Sequence, residues 1–235
     1  MVAAGTNSIA YNKGQITITG AGAEGMHAES GGVIVNDGTI TLEAGSVGLY
    51  ATDAGSKIYN TGTIKIDVDS CSGDACSTDA THDYVMVENG ATYENGGLVV
   101  SYSALNLSNW AGLAGKVLIS KNGTYEAPEL SGKVYASSDI VEEGFENTYR
   151  NEDSFVGEDT GLDLESNSHM FNARLEENAN GGKDVVMERK EFSEIIDDNS
   201  MASYLENNYS QANAETFFSF LKSANNKNNF DRVLN

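Results

Sequence analysis

The chain has 235 residues, 40% of them hydrophobic, with a mean hydropathy of −0.35 and one proline, Pro128, which is enough apolar material for a folded core and too little proline for a Pro-rich linker. Fourteen Lys+Arg stand against 35 Asp+Glu, a formal charge of −21, so the surface repels phosphate backbones and anionic membranes and favours solubility in an exposed setting. No run approaches the ~18–20 apolar residues of a membrane span, and Met1-Val2-Ala3-Ala4-Gly5-Thr6 lacks the basic and long apolar regions of a signal peptide; if the protein is exported, the chain is expected to be a piece of a longer one.

The first hundred residues repeat. Asn12-Lys13-Gly14-Gln15-Ile16-Thr17-Ile18 recurs as Asn36-Asp37-Gly38-Thr39-Ile40-Thr41-Leu42 and as Asn60-Thr61-Gly62-Thr63-Ile64-Lys65-Ile66, the asparagines 24 residues apart each time. Gly25-Met26-His27-Ala28 and Gly48-Leu49-Tyr50-Ala51 follow nearly the same beat, and Tyr93-Glu94-Asn95-Gly96-Gly97-Leu98-Val99-Val100 is a degenerate fourth copy. Within each copy the apolar residues alternate, which is the period of a strand, and the Asn-x-Gly ahead of them is a turn signal. Short strands at a fixed interval predict a parallel β-helix, with Ile16, Ile40 and Ile64 stacked inside it and Asn12, Asn36 and Asn60 forming a structural ladder of amides. A meander of hairpins explains the strands but not the interval. The fourth asparagine lies 35 residues after Asn60, so the extra 11 residues predict a loop inserted at 67–83.

That loop holds the only two cysteines, Cys71 and Cys76. Their spacing allows a local disulfide, which implies an oxidising compartment; reduced thiols are the alternative, and zinc would need more ligands than the nearby His82 supplies. Asp67, Asp69, Asp74, Asp79 and Asp83 crowd the same stretch, either as a solvated acidic loop or as a calcium site, although the order of an EF-hand is not met. Gly20-Ala21-Gly22-Ala23-Glu24-Gly25 has the spacing of a dinucleotide loop. It leaves no room for the helix such a loop requires before the next strand near Val33, and reads as a glycine-rich corner. His27 takes the slot of Tyr50, opposite Met26, on the surface.

From Ser101 to about Arg189 the repeat disappears, while strand-like runs such as Lys116-Val117-Leu118-Ile119 and Gly132-Lys133-Val134-Tyr135-Ala136 continue. Trp110, the one tryptophan, is expected to close the end of the β core, with a sugar-stacking platform as the alternative. Gly144 to Ser168 is acidic and polar and reads as a long loop or an irregular coil. Asp159-Thr160-Gly161 resembles an aspartic-protease triplet but lies in a polar stretch, where a catalytic pair of buried carboxylates is not expected. No Gly-x-Ser-x-Gly occurs, and His27, His82 and His169 are far apart in sequence.

From Glu191 the period becomes helical. Phe192, Ile195 and Ile196 form one stripe, Asn199-Ser200 is a candidate cap, Met201, Tyr204, Leu205 and Tyr209 continue the stripe, and Phe217, Phe220, Leu221 and Ala224 form the next. Phe230, Val233 and Leu234 end the chain in mid-pattern, so a continuation is expected.

The order of coils, strand-rich block and helices resembles type V autotransporter passengers, in particular the large fusobacterial-type adhesins. The resemblance rests on the Asn-x-Gly-Thr-Ile coils, on Leu130-Ser131-Gly132-Lys133-Val134-Tyr135-Ala136, on Gly157-Glu158-Asp159-Thr160-Gly161-Leu162, and on Asp184-Val185-Val186-Met187-Glu188-Arg189-Lys190 before the helices. It implies an all-β fold: a right-handed parallel β-helix over residues 1–100, an autochaperone-like cap over 101–190, and an α-helical linker over 191–235 leading towards a translocator barrel. It also implies a bacterial cell-surface location, outer membrane-attached or secreted, and a role in attachment to host cells or other bacteria. The partners would be surface receptors, protein or glycan, together with the chain's own β-barrel. Cysteines close together, such as Cys71 and Cys76, fit that export route. No catalytic, cofactor or metal residues carry over, so the chain is expected to be neither an enzyme nor a cofactor protein. The competing readings are a polysaccharide-binding or polysaccharide-degrading β-helix, and a passive stalk that presents a distal adhesive domain. Lyase chemistry needs Arg, Lys or a metal to stabilise an enolate-like charge, and residues 1–100 contain no arginine and only Lys13, Lys57 and Lys65.

Overall fold

The structure is a computed structural model that describes residues 1–19, 22–42, 46–66, 83–211 and 214–234. Among these residues it is a right-handed parallel β-helix closed by an antiparallel hairpin and flanked by four short α-helices. The first coil is β1 (Val2–Ala4), β2 (Ile9–Asn12) and β3 (Gln15–Ile18); the second is β4 (Glu24–Glu29), β5 (Val33–Asn36) and β6 (Thr39–Leu42). The third is β7 (Val47–Ala51), β8 (Lys57–Asn60) and β9 (Thr63–Ile66), and the fourth is β10 (Asp83–Val87), β11 (Thr92–Asn95) and β12 (Leu98–Val100). Each strand pairs in parallel with the strand three places on, so the coils form three sheets around one interior. The corner from the first sheet to the second is built the same way each time. Asn7, Ser30, Asp53 and Asn89 all sit there with positive φ, the region that short polar side chains tolerate.

Alternation puts every second side chain inside. Ile34 and Ile58 stack in one column, and Ile40, Ile64 and Val99 stack in another, all fully buried. Each such side chain contributes roughly 1.5–3 kcal/mol on burial. Met26, Leu49 and Val85 line the first sheet.

Stacking does not stop at residue 100, where the repeated words end. β13 (Leu105–Asn106), a 3₁₀ turn over Leu107–Trp110, β14 (Lys116–Ile119) and the long β15 (Thr124–Ala136) form the next coil. Thr92 pairs with Lys116, again 24 positions on, but the residue beneath Asn95 is Ile119, so the interval survives where the motif does not. β15 bends around the interior, pairing in turn with β12, β13 and β14.

Residues 148–166 are not the loop their polarity predicts. They form β16 (Thr148–Ser166), which follows β15 in parallel from Tyr125↔Phe155 to Ala136↔Ser166. β17 (Phe171–Glu177) and β18 (Lys183–Arg189) then pair antiparallel, with β18 also antiparallel to β16, which ends the parallel stack.

Trp110 is not at an end. It lies 3% exposed inside the stack, with Tyr84, Tyr93 and Tyr125 around it at ring distances of 5.9, 6.0 and 5.9 Å, and Phe155 stacks on Tyr125 at 5.6 Å. Large rings fill an interior that aliphatic side chains fill in the earlier coils.

The tail contains α1 (Phe192–Ile195), α2 (Asn199–Asn208), α3 (Glu215–Ser223) and α4 (Lys227–Leu234). The cap of α2 is Asp198, not Asn199-Ser200: its Oδ1 accepts from the Ser200 and Met201 N–H groups at 2.8 and 3.1 Å. The buried stripe is also displaced from the expected one. Ala202, Leu205, Phe218 and Leu221 face inward, whereas Met201, Tyr204 and Phe220 are exposed. Phe192, Tyr209 and Phe218 pack together and meet Phe145, so the apolar faces of the helices are used within the chain.

Candidate interaction surface

The three sheets present different chemistry outward. On the first, His27 lies against Tyr50 at 4.6 Å with its Nδ1 3.1 Å from Glu24, and Tyr50 OH donates to Glu88 at 3.3 Å. The third carries a threonine column, Thr39 over Thr63. The second carries rings and lysines. Its outward columns run Tyr11, Val35, Tyr59, Glu94, Leu118, Tyr135 and Ile9, Val33, Lys57, Thr92, Lys116. Lys13 lies over Tyr11 at 4.9 Å, Lys57 over Tyr59 at 6.0 Å, and Lys116 and Lys133 over Tyr135 at 4.5 and 5.4 Å. In a chain of charge −21, one face therefore combines apolar rings with cations. Ile9 and Tyr11 are 66% and 44% exposed at its outer end.

Lower on the same face the tail covers the sheet. A cleft of about 210 Å³ opens there between Glu94, Asp139, Glu142, Asn167 and Lys222. Burial raises the Glu94 carboxyl above its ordinary range against the pull of Lys57, and Asp139 Oδ2 accepts from the Lys121 N–H at 3.0 Å. Lys222 is 3% exposed, ringed by Phe145, Tyr149 and Tyr209, and donates to the Gly144 carbonyl and the Tyr149 hydroxyl; burial lowers its pKa.

Asn12, Asn36 and Asn60 lie one above another, with Asn95 as a fourth member. Each Nδ2 donates to the Oδ1 below, at 2.7, 2.8 and 2.8 Å, and Asn95 Nδ2 ends the run on the Thr124 carbonyl at 3.2 Å. Asn95 stands off the 24-residue spacing and is marked in the sequence by the degenerate copy from Tyr93 to Val100.

Cys71, Cys76, His82 and Asp67, Asp69, Asp74 and Asp79 lie outside the described residues; Asp83 opens β10 rather than ending a loop. Gly25 lies within strand β4, where a dinucleotide loop would open a helix. Asp159 accepts from the Gly161 and Leu162 N–H groups at 2.9 and 2.8 Å and lies 3.8 Å from Lys183; burial works against its ionisation, but these partners outweigh that and hold it below the usual range. His169 packs on Phe230 at 5.3 Å, and burial lowers its pKa, with Lys190 and Lys227 adding to the effect. Among the described residues no three His, Cys, Asp or Glu side chains group as a metal site, and no helix is long and apolar enough to cross a membrane.

Three parallel sheets wound on one interior define a β-helix protein. Within that class, residues 1–97 match the family model described as the BigA third pectate lyase-like domain, so the coil region is similar to that domain. No curated protein and no solved structure matches the chain.

Proposed function

We propose that this chain is the membrane-proximal passenger portion of a bacterial surface adhesin of the autotransporter type, following the pattern of the large fusobacterial-type adhesins, and that it binds its partners without transforming them. The observation that carries the reading is the match of residues 1–97 to the BigA third pectate lyase-like domain, in a solenoid whose second sheet turns tyrosines and lysines outward. The strong negative charge suits a protein held at the surface, outer membrane-attached or released. Its partners are receptors on host or bacterial cells, protein or glycan, and a β-barrel translocator of its own.

The name of the matched domain also favours a second reading, a β-helix that binds or cleaves polysaccharide. The scarcity of cations in residues 1–100 argues against cleavage there, because an enolate-like charge would have only Lys13, Lys57 and Lys65 to stabilise it. Immobilised protein is expected to retain host or bacterial cells, and a Tyr11→Ala, Tyr59→Ala variant to retain several-fold fewer. Failure across a panel of cells would favour the passive stalk. Release of unsaturated products from an acidic polysaccharide with divalent ions would overturn the non-enzymatic reading.

A further inference from the structure

We infer that the N-terminal end of the β-helix is a coupling face, built to receive one more parallel coil that carries an asparagine in the ladder position. The inference is independent of any role in adhesion and rests on three features of the first coil.

The first is Gly14. In every later coil the equivalent glycine is sterically required: a Cβ on Gly38, Gly62 or Gly97 would come within 2.0, 2.0 and 2.1 Å of the carbonyl oxygen of Gly14, Gly38 and Gly62 in the coil above. A Cβ on Gly14 would meet nothing closer than Asn12 Oδ1 at 4.0 Å, and Gly14 is not among the glycines with positive φ. Nothing within the described chain therefore asks for glycine at 14. A coil stacked on it would, for the reason seen three times below.

The second is the polarity of the ladder. The Gly14 and Gly97 N–H groups donate to the Oδ1 atoms of Asn12 and Asn95 at 3.1 and 3.3 Å, which fixes each amide with its NH₂ group facing down the stack. Asn36, Asn60 and Asn95 each accept from the asparagine above. Asn12, only 6% exposed, offers the same acceptor to the open end, and among the described residues no inter-coil donor reaches it. An amide oxygen with capacity for a second bond calls for a donor, and the ladder supplies its donors from asparagine. The third feature is the interior itself. Ile16 is half-buried, while Ile40 and Ile64 beneath it are at 0% exposure.

These features also select the occupant. A second copy meeting this face end to end would continue the sheet with antiparallel strands and set one Asn12 oxygen against another. The far end of the molecule does not complement it either, because the stack finishes there in the antiparallel β17–β18 pair. A parallel Asn-x-Gly coil satisfies the glycine, the amide and the isoleucine together.

The test joins a copy of residues 26–48 ahead of Met1, which places its asparagine 24 residues before Asn12. The extended protein is expected to melt higher than the parent and to protect the β2 and β3 amides from hydrogen exchange. Gly14→Ala is expected to be silent in the parent and to lower the melting temperature of the extended protein, whereas Gly38→Ala lowers it in both. An added coil that leaves melting and exchange unchanged, or that loosens the parent coils, would overturn the inference. So would Gly14→Ala acting equally in both proteins, or a parent dimer that the added coil abolishes, since the face would then belong to a second copy.

Discussion

At the scale of single residues, the ladder assigns different weights to chemically identical asparagines. Asn60 accepts from Asn36 and donates to Asn95, both at 2.8 Å, in a fully buried column. Asn60→Leu takes the acceptor from Asn36 Nδ2, which keeps only a long contact of 3.5 Å to the Thr63 carbonyl, and the side-chain donor from Asn95 Oδ1, which keeps only the Gly97 N–H. Each weakened buried polar group costs about 1–3 kcal/mol. Asn12→Leu deprives Asn36 of one donor and the Gly14 N–H of its acceptor, at the open end of the stack, where water can substitute. Chemical denaturation should therefore show a loss of roughly 2–5 kcal/mol for Asn60→Leu and under about 1–2 kcal/mol for Asn12→Leu. Equal losses would mean that the amides are held by packing alone. The pair also differs from an ordinary cap or turn asparagine, whose loss would not depend on its place along the stack.

At the scale of elements, a buried cation adds to the aromatic packing that holds the tail to the core. Lys222 on α3 reaches the Gly144 carbonyl and the Tyr149 hydroxyl through a ring of Phe145, Tyr149 and Tyr209. Truncation to alanine removes both hydrogen bonds and leaves a void, a loss of roughly 2–4 kcal/mol. Methionine keeps the stem volume and removes a charge whose burial is itself costly, so Lys222→Met should lose less than half as much, measured by thermal melting. If methionine proves as damaging as alanine, the ammonium rather than the packing holds α3. The β-helix was legible in the sequence because coils of equal length repeat their words, and an interval shows only while coil lengths agree. Past residue 100 the offset between paired residues grows to 26 for Leu98↔Thr124 and 30 for Tyr125↔Phe155, so the same stacking leaves no visible period. β16 read as a loop because its outward side is carboxylate-rich. Its strand is set instead by β18 along its first part and β15 along the rest, and by cations opposite, Lys133 beside Asp163 and Glu165 and Lys183 beside Asp159. The helical stripes were legible in period but not in phase. On helices this short, Phe218 and Phe220 are equally apolar, and only the location of Phe145 and Tyr209 decides which of them turns inward. The tyrosine–lysine face lay hidden for a different reason, since its members come from separate coils and converge only when the rungs stack.

At the scale of the whole molecule, the charge balance sets a pH optimum. Two groups of carboxylates oppose each other. Glu94 is raised by burial, so its contribution is fully present below its unfolded pKa of about 4.3 and is lost as pH rises through the higher folded value. Asp184 goes the other way. Burial works against its ionisation, but Asn178, Arg150 and the Asp153 N–H hold it below the usual range, and Glu176 and Glu206 are lowered by hydrogen bonds from Arg174 and Arg150 and from Arg189. Their stabilisation is present above about pH 4 and is lost as pH falls through their folded values. Repulsion within a chain of charge −21 adds to the first trend, since protonation relieves it. The melting temperature should therefore peak on the acidic side of neutrality, fall gently towards pH 8 and fall more steeply below about pH 4. Glu94→Gln is expected to raise the melting temperature at pH 7 and flatten the upper limb. Asp184→Asn is expected to flatten the acid limb while costing about 1–3 kcal/mol at neutral pH, through the lost charge-assisted bond to Arg150. A melting temperature that climbs steadily to pH 8 would show that the unpaired carboxylates, Glu94 foremost, carry no penalty, and that the acidity of the surface is screened by solvent rather than felt by the fold.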